Sequence, residues 1–147
     1  MTLDTYGYKL IQQFEGLKLK AYQDSVGIKT IGYGNITYTN GKKVKKGDTI
    51  TREEAEIMFK NTANNFAIKV RKLIDVSLTQ NQFNALVSLA YNIGLGAFEK
   101  STLLKLVNSS PNSPAIKDQF LRWKFAGGKE IKGLLNRRIK ESEVYFS

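Results

Sequence analysis

Glu15, Asp24 and Thr30 fall within sixteen positions of one another, in the spacing Glu-x8-Asp-x5-Thr. Two carboxyls and a hydroxyl that can hold water are what glycosidic hydrolysis needs. One carboxyl protonates the leaving oxygen, while the other steadies an oxocarbenium-like centre or helps activate water. Other hydrolytic routes are poorly supplied, because the 147 residues include no histidine and no cysteine. That removes the Ser-His-Asp triad, the Cys-His pair and nearly every zinc hydrolase site. With no histidine, a proton carrier near neutral pH must be a carboxyl shifted by its surroundings.

The elements around these residues decide whether they can meet. Asp4 is a fitting N-cap for a helix over residues 4–15, in which Tyr6, Leu10, Ile11, Phe14 and Leu17 recur at three- and four-residue spacing. Gly16 is its natural stop. Glu15 then stands at the helix C-terminus, where the macrodipole disfavours a negative charge, so stability alone does not explain it. A solvated glutamate or a salt bridge is the competing explanation. From Leu17 to about Val44 the pattern turns to short strands: Lys18–Tyr22 alternates, residues 24–27 form a turn that carries Asp24, and residues 28–31 resume a strand that carries Thr30. Gly32 and Gly34 mark a bulge or a close approach. Asn40-Gly41 is a strong hairpin signal, giving a small antiparallel sheet of two or three strands.

The remainder reads as helix. Thr51–Glu54 and Thr79–Gln82 are capping boxes. The first opens a long helix to about residue 74, continuous or broken at Asn64-Asn65. The second opens a helix bearing Phe83, Leu86, Val87, Ala90 and Tyr91, which Gly94 and Gly96 close. Shorter helices are expected at about 102–108, 114–125 and 133–146, the middle one with Ser113 as N-cap and Pro114 at its first position. Phe120 and Trp123 sit at core spacing. The expected architecture is α+β and a single domain over 1–147. It has an N-terminal lobe at about 12–60, a bridging helix at about 52–74, and a helical lobe at about 75–147 that also takes the N-terminal helix. A cleft between lobes is the usual place for a ligand.

At 41% hydrophobic and 24% charged, the chain is globular rather than disordered. No apolar run reaches the length of a membrane span, and the first residues lack the basic and apolar regions of a signal peptide. The net charge of +10 draws such a surface to polyanions: nucleic acid, anionic membrane or an acidic wall polymer. The densest cluster, Lys42-Lys43-Val44-Lys45-Lys46, reads as a solvated hairpin whose lysines blunt an edge strand. No RNA-binding signature, zinc finger or phosphate loop accompanies it.

Phe14-Glu-Gly-Leu-Lys-Leu-Lys-Ala-Tyr-Gln-Asp24 and Val26-Gly-Ile-Lys-Thr-Ile-Gly-Tyr-Gly34 together resemble the opening of the bacteriophage-type lysozymes, the endolysin muramidases of glycoside hydrolase family 24. The likeness continues in Gly47–Thr51, Glu54–Glu56, Tyr91–Gly94, Gly96–Phe98, Ser101–Leu104, Phe120–Trp123, Ala126–Gly128 and Gly133–Arg138, and so spans essentially the whole chain. The resemblance implies a lysozyme-like fold, cleavage of the β-1,4 bond between N-acetylmuramic acid and N-acetylglucosamine, and no cofactor or metal. By the same resemblance Glu15 is the general acid, Asp24 assists water attack or stabilises the developing cation, and Thr30 holds the water. Arg137 aligns with the family arginine that pairs with the acid; a charge on an exposed helix face is the alternative. Ile36, Tyr91, Asn92 and Ser101 fall where the family lines its sugar cleft, with core packing the alternative for Ile36 and Tyr91. Asn35 stands where members commonly carry histidine, a change expected to touch local stability more than mechanism.

The implied partner is bacterial peptidoglycan and its anionic surface, with no specific nucleic acid, and a monomer is expected. The short N-terminus fits members held in the host cytoplasm until lysis and released to the wall or periplasm through holes made by another protein. Two other readings stand beside this one. A lytic transglycosylase needs a single glutamate and has no use for Asp24 or Thr30. A non-catalytic cationic binding module for wall or nucleic acid would explain the charge but not Glu15.

Overall fold

Asp4 caps the first helix, its Oδ1 accepting the Gly7 N–H at 2.8 Å. Helix α1 runs Thr5–Glu15 and ends on Gly16, whose φ of 67° lets its N–H reach back to the Gln12 carbonyl at 3.2 Å. Strands β1 (Lys18–Gln23) and β2 (Lys29–Gly32) pair antiparallel, with Tyr22 opposite Thr30 and Gln23 opposite Lys29. The register shifts between Lys18 and Tyr22. On the other side of β1, Ala21 N–H bonds the Asp48 carbonyl at 2.8 Å and Ile50 N–H the Leu19 carbonyl at 2.9 Å. The sheet is thus two strands and an irregular third segment. The lysine-rich stretch forms the expected hairpin about Asn40-Gly41, with Thr37 bridged to Lys43 and the lysines exposed.

Helix α2 spans Arg52–Leu73 without a break at Asn64-Asn65. Phe59, Ala63, Ala67 and Val70 are buried along it, and that packing outweighs the weak helix propensity of asparagine. Helix α3 (Gln80–Ile93) opens on the Thr79–Gln82 capping box and is buried at every position from Gln82 to Ala90. The sequence showed only an apolar stripe. The polar members are satisfied internally, Asn84 by Asp4 and Gln80 at 2.9 Å each and Ser88 by Glu141.

Beyond α3 two expectations are corrected. Gly94 closes α3 as expected, its N–H bonding the Ala90 carbonyl, but Gly96 lies inside a further short helix, α4 (Leu95–Lys100), which starts directly after Gly94 and is anchored by buried Phe98. Helix α5 occupies Thr102–Ser109. Helix α6 covers only Ile116–Leu121, because residues 113–115 form a turn in which Ser113 Oγ takes the Ala115 N–H. A 3₁₀ turn at Arg122–Lys124 follows, non-helical at Trp123. Strands β3 (Phe125–Ala126) and β4 (Lys129–Glu130) then make a hairpin through Gly127-Gly128, a turn dipeptide whose signal is present in the sequence. Helix α7 (Lys132–Tyr145) closes the chain.

The structure, a computed structural model, describes residues 1–147 and divides them into two compact units. The N-terminal unit is Tyr8–Asn65, and the helical unit is Met1–Gly7 with Phe66–Ser147. The first helix is therefore divided rather than joined whole to the helical lobe. Tyr8 packs edge-on to Phe59 at 6.1 Å and Gln12 donates to Glu56 at 2.9 Å, both in the N-terminal unit. Gly7 instead lies so close to Asn84 that a Cβ would sit 2.5 Å from its Oδ1. One cluster of the N-terminal core is Ile31, Val44, Ile50, Ala55 and Met58, with Leu17, Ala21, Tyr33 and Tyr38 against it. No helix is long and apolar enough to cross a membrane.

Candidate active site

Glu15 is the last residue of α1 and is half-buried. Its carboxyl lies on the Gly32–Gly34 turn: a Cβ at Gly34 would stand 2.9 Å from Glu15 Oε1. Gly34 also has φ 81°, so both its backbone and its missing side chain are required here. The turn is fixed by reciprocal Ile31–Asn35 backbone bonds of 2.8 Å. Asn35, 3% exposed, adds two more: its Oδ1 accepts the Tyr33 N–H at 3.3 Å, and its Nδ2 donates to Thr62 Oγ1 on α2 at 2.9 Å. Where the family commonly has histidine, an amide thus pins the glycine turn to the long helix.

Asp24 heads the turn between β1 and β2. Its Oδ1 accepts the N–H groups of Val26 at 3.0 Å and Ile28 at 2.8 Å. Two backbone donors on one oxygen aim the carboxylate. Thr30 is buried on β2, and its hydroxyl donates to the Ile28 carbonyl at 3.0 Å. With its proton spent there, Oγ1 has only acceptor capacity left. Ile28 therefore ties both groups to one backbone position.

Tyr22, which the sequence reading passed over, reports where the two acids are. Burial first, then the charges of Glu15 and of Asp24, raise its phenol above the ordinary tyrosine value. One side chain thus feels both carboxylates, and it is the cross-strand partner of Thr30. The turn at residues 24–27 already sets that register, so the signal was available.

Ile36 also belongs to the N-terminal unit. It is 48% exposed, not core, and with Ile28 it lines a cavity of about 350 Å³. The other expected site residues belong to the helical unit. Tyr91 is half-buried with its ring 5.3 Å from that of Phe66. Asn92 is exposed, and its Oδ1 accepts from Arg138 at 2.8 Å. Ser101 is a buried N-cap of α5, donating to the Phe98 carbonyl at 2.6 Å and accepting the Leu104 N–H at 3.1 Å.

Arg137 is 4% exposed, which excludes an exposed face of the last helix. Its Nε pairs with Glu141 Oε2 at 3.1 Å and it donates to the Ser88 carbonyl at 3.0 Å. Arg138 Nε meets the other Glu141 oxygen at 2.8 Å. Sequence reasoning missed this cluster, although Glu141 stands three and four residues after the two arginines, the spacing of neighbours on a helix. No group of acidic side chains is arranged to hold a metal ion.

The family model described as phage lysozyme matches residues 12–141. The chain belongs to the phage lysozyme family. The endolysin of Bacillus phage PZA is 44% identical over 149 aligned residues, covering 100% of this chain and 56% of that protein. The chain thus spans just over half the length of that relative. The solved endolysin from Escherichia coli O157:H7 phage FAHEc1 superposes with a TM-score of 0.90 at 42% identity, covering 100% of this chain and 94% of the other. A P22 lysozyme structure, the L86M mutant, gives 0.85 at 39% identity, with 100% and 99% covered. The fold is lysozyme-like, as the residues of the opening segments implied.

Proposed function

We propose that the chain is a peptidoglycan hydrolase that cleaves the β-1,4 bond between N-acetylmuramic acid and N-acetylglucosamine. The observation that carries this reading is geometric: the Glu15 carboxyl lies on the Gly32–Gly34 turn, and Asp24 and the Thr30 hydroxyl are both bonded to the Ile28 backbone just before it. Glu15, protonated, gives its proton to the glycosidic oxygen as the bond breaks. Positive charge develops at the anomeric carbon, and Asp24 Oδ2 steadies it or accepts a proton from water. Thr30 Oγ1 accepts the water's other hydrogen, which turns a lone pair of that water toward the carbon.

In the same reading Arg137, oriented by Glu141 and Ser88, pairs with the acid. Ile36, Tyr91, Asn92 and Ser101 contact the sugars. No cofactor is required, and a monomer suffices. A cationic surface concentrates the protein on the anionic wall, where its action lyses the bacterial cell. Membership of a lysozyme family and the presence of both carboxyls and the hydroxyl support this over a binding module.

The test is clearing of a cell-wall suspension by wild type, Glu15→Gln and Asp24→Asn, with mass spectrometry of the products. Glu15→Gln is expected to lose roughly 10²- to 10⁴-fold in rate, since an amide cannot donate the proton. Equal clearing by all three sinks the assignment. Products ending in anhydromuramic acid would make the protein a transglycosylase.

A further inference from the structure

The three reacting groups leave a shortage of hydrogen-bond donors. Asp24 as a carboxylate only accepts, the Thr30 proton is spent on the Ile28 carbonyl, and the Glu15 proton goes to the leaving oxygen. An amino sugar in the site presents hydroxyl and acetamido oxygens that lose water on binding and need donors in return. Tyr22 is placed to supply one. Direct partners on an antiparallel pair project from the same face with Cβ atoms about 4.5–5.5 Å apart, and Tyr22 is the direct partner of Thr30. It lies two residues before Asp24, and it is 39% exposed where Thr30 is 4% exposed. A neutral phenol in that position is a donor that neither carboxylate can replace.

We propose that Tyr22 is a further catalytic residue, its hydroxyl donating a hydrogen bond to an oxygen of the N-acetylated sugar held between Glu15 and Asp24. The inference rests on the muramidase reading and adds to it the group that holds the sugar at the point of cleavage. Because Tyr22 is itself 39% exposed, removing its hydroxyl costs the fold little. Its loss is felt when the sugar oxygen is desolvated without a partner.

Steady-state kinetics of wild type, Tyr22→Phe and Glu15→Gln on soluble glycan oligomers of defined length test this, with thermal unfolding of each. For Tyr22→Phe, kcat/KM is expected to fall about three- to tenfold, the worth of one neutral hydrogen bond, at an unchanged thermal midpoint. Wild-type kinetics for Tyr22→Phe beside an inactive Glu15→Gln would overturn the role of Tyr22 and leave the muramidase reading standing. Loss of activity that tracks a lowered midpoint, and returns on cooling, would assign Tyr22 to stability and overturn the proposal. No hydrolysis by wild type would overturn both.

Discussion

The two units carry their carboxylates in opposite ways. In the N-terminal unit Glu15 and Asp24 stand half-buried at a helix end and a turn, and backbone geometry positions them. Gly34 makes room for one, and the N–H groups of Val26 and Ile28 aim the other. In the helical unit Glu141 is fully buried and both its oxygens are engaged by guanidiniums. Six of the nine glycines with positive φ, Gly34 among them, lie in Tyr8–Asn65. One of its core clusters is five side chains drawn from strand, loop and helix, whereas α3 in the helical unit is buried for nine successive residues. Turn N–H groups hold the Asp24 carboxylate, while the Glu141 carboxylate is spent on arginines and holds helices together.

The comparison breaks first at Glu141. Glu141→Ala leaves two guanidiniums buried between α3 and α7 without their counter-charge, which costs about 3–5 kcal/mol of stability. The loss should appear as a lower urea midpoint. A Glu141→Ala protein as stable as wild type would mean that water reaches the cluster and that the contrast between units is false.

Glycine substitutions sharpen the same contrast. Gly34 and Gly128 have nearly equal positive φ, 81° and 79°. An added Cβ meets Glu15 Oε1 at 2.9 Å at the first and nothing within 4 Å at the second. Each alanine variant should lose about 1–2 kcal/mol from left-handed backbone. Only Gly34→Ala should also lose activity, on the order of 100-fold if the carboxyl moves by about 1 Å. Equal specific activity in the two variants would mean that Glu15 accommodates the methyl without leaving its place.

How much was legible follows the reach of the signal. Local chemistry read well: Asp4, Thr51 and Thr79 cap their helices as expected, Gly16 stops α1, and Asn40-Gly41 turns the hairpin. Each needs only residues a few positions away. The errors lie where a breaker was judged without its packing. Gly96 was read as a stop, although it lies within α4, which buried Phe98 anchors directly after the Gly94 cap, and Asn64-Asn65 was allowed a break that the buried face of α2 forbids. Ser113-Pro114 looked like a helix start but forms a preceding turn. At the site, Glu15, Asp24 and Thr30 were visible by type and spacing. The bulge or close approach expected at Gly34 is a close approach, made by Glu15. Ser101 shows a limit of another kind, since nothing in its type separates a sugar contact from the helix cap that it forms.

The smallest expected effect concerns a carboxylate of the N-terminal unit that does no chemistry. Tyr38 donates to Asp48 Oδ2 at 2.6 Å, and the same oxygen accepts the Lys45 N–H at 2.9 Å, closing the lysine hairpin. The Tyr38 hydroxyl, then the Lys45 N–H, hold Asp48 below its ordinary value. Burial first, then the bond to Asp48, push Tyr38 up to about 12. A depressed carboxyl contributes stability above its unfolded pKa and loses it as pH falls through the folded one. A raised phenol contributes below its unfolded pKa, near 10, and loses it as pH rises through about 12. The bond's contribution is therefore flat across neutral pH and fades at both ends. Urea midpoints of wild type and Tyr38→Phe should differ slightly and constantly from about pH 5 to 9 and converge toward acid as Asp48 protonates. A gap that stays constant into acid would show that Tyr38 acts by packing rather than through Asp48.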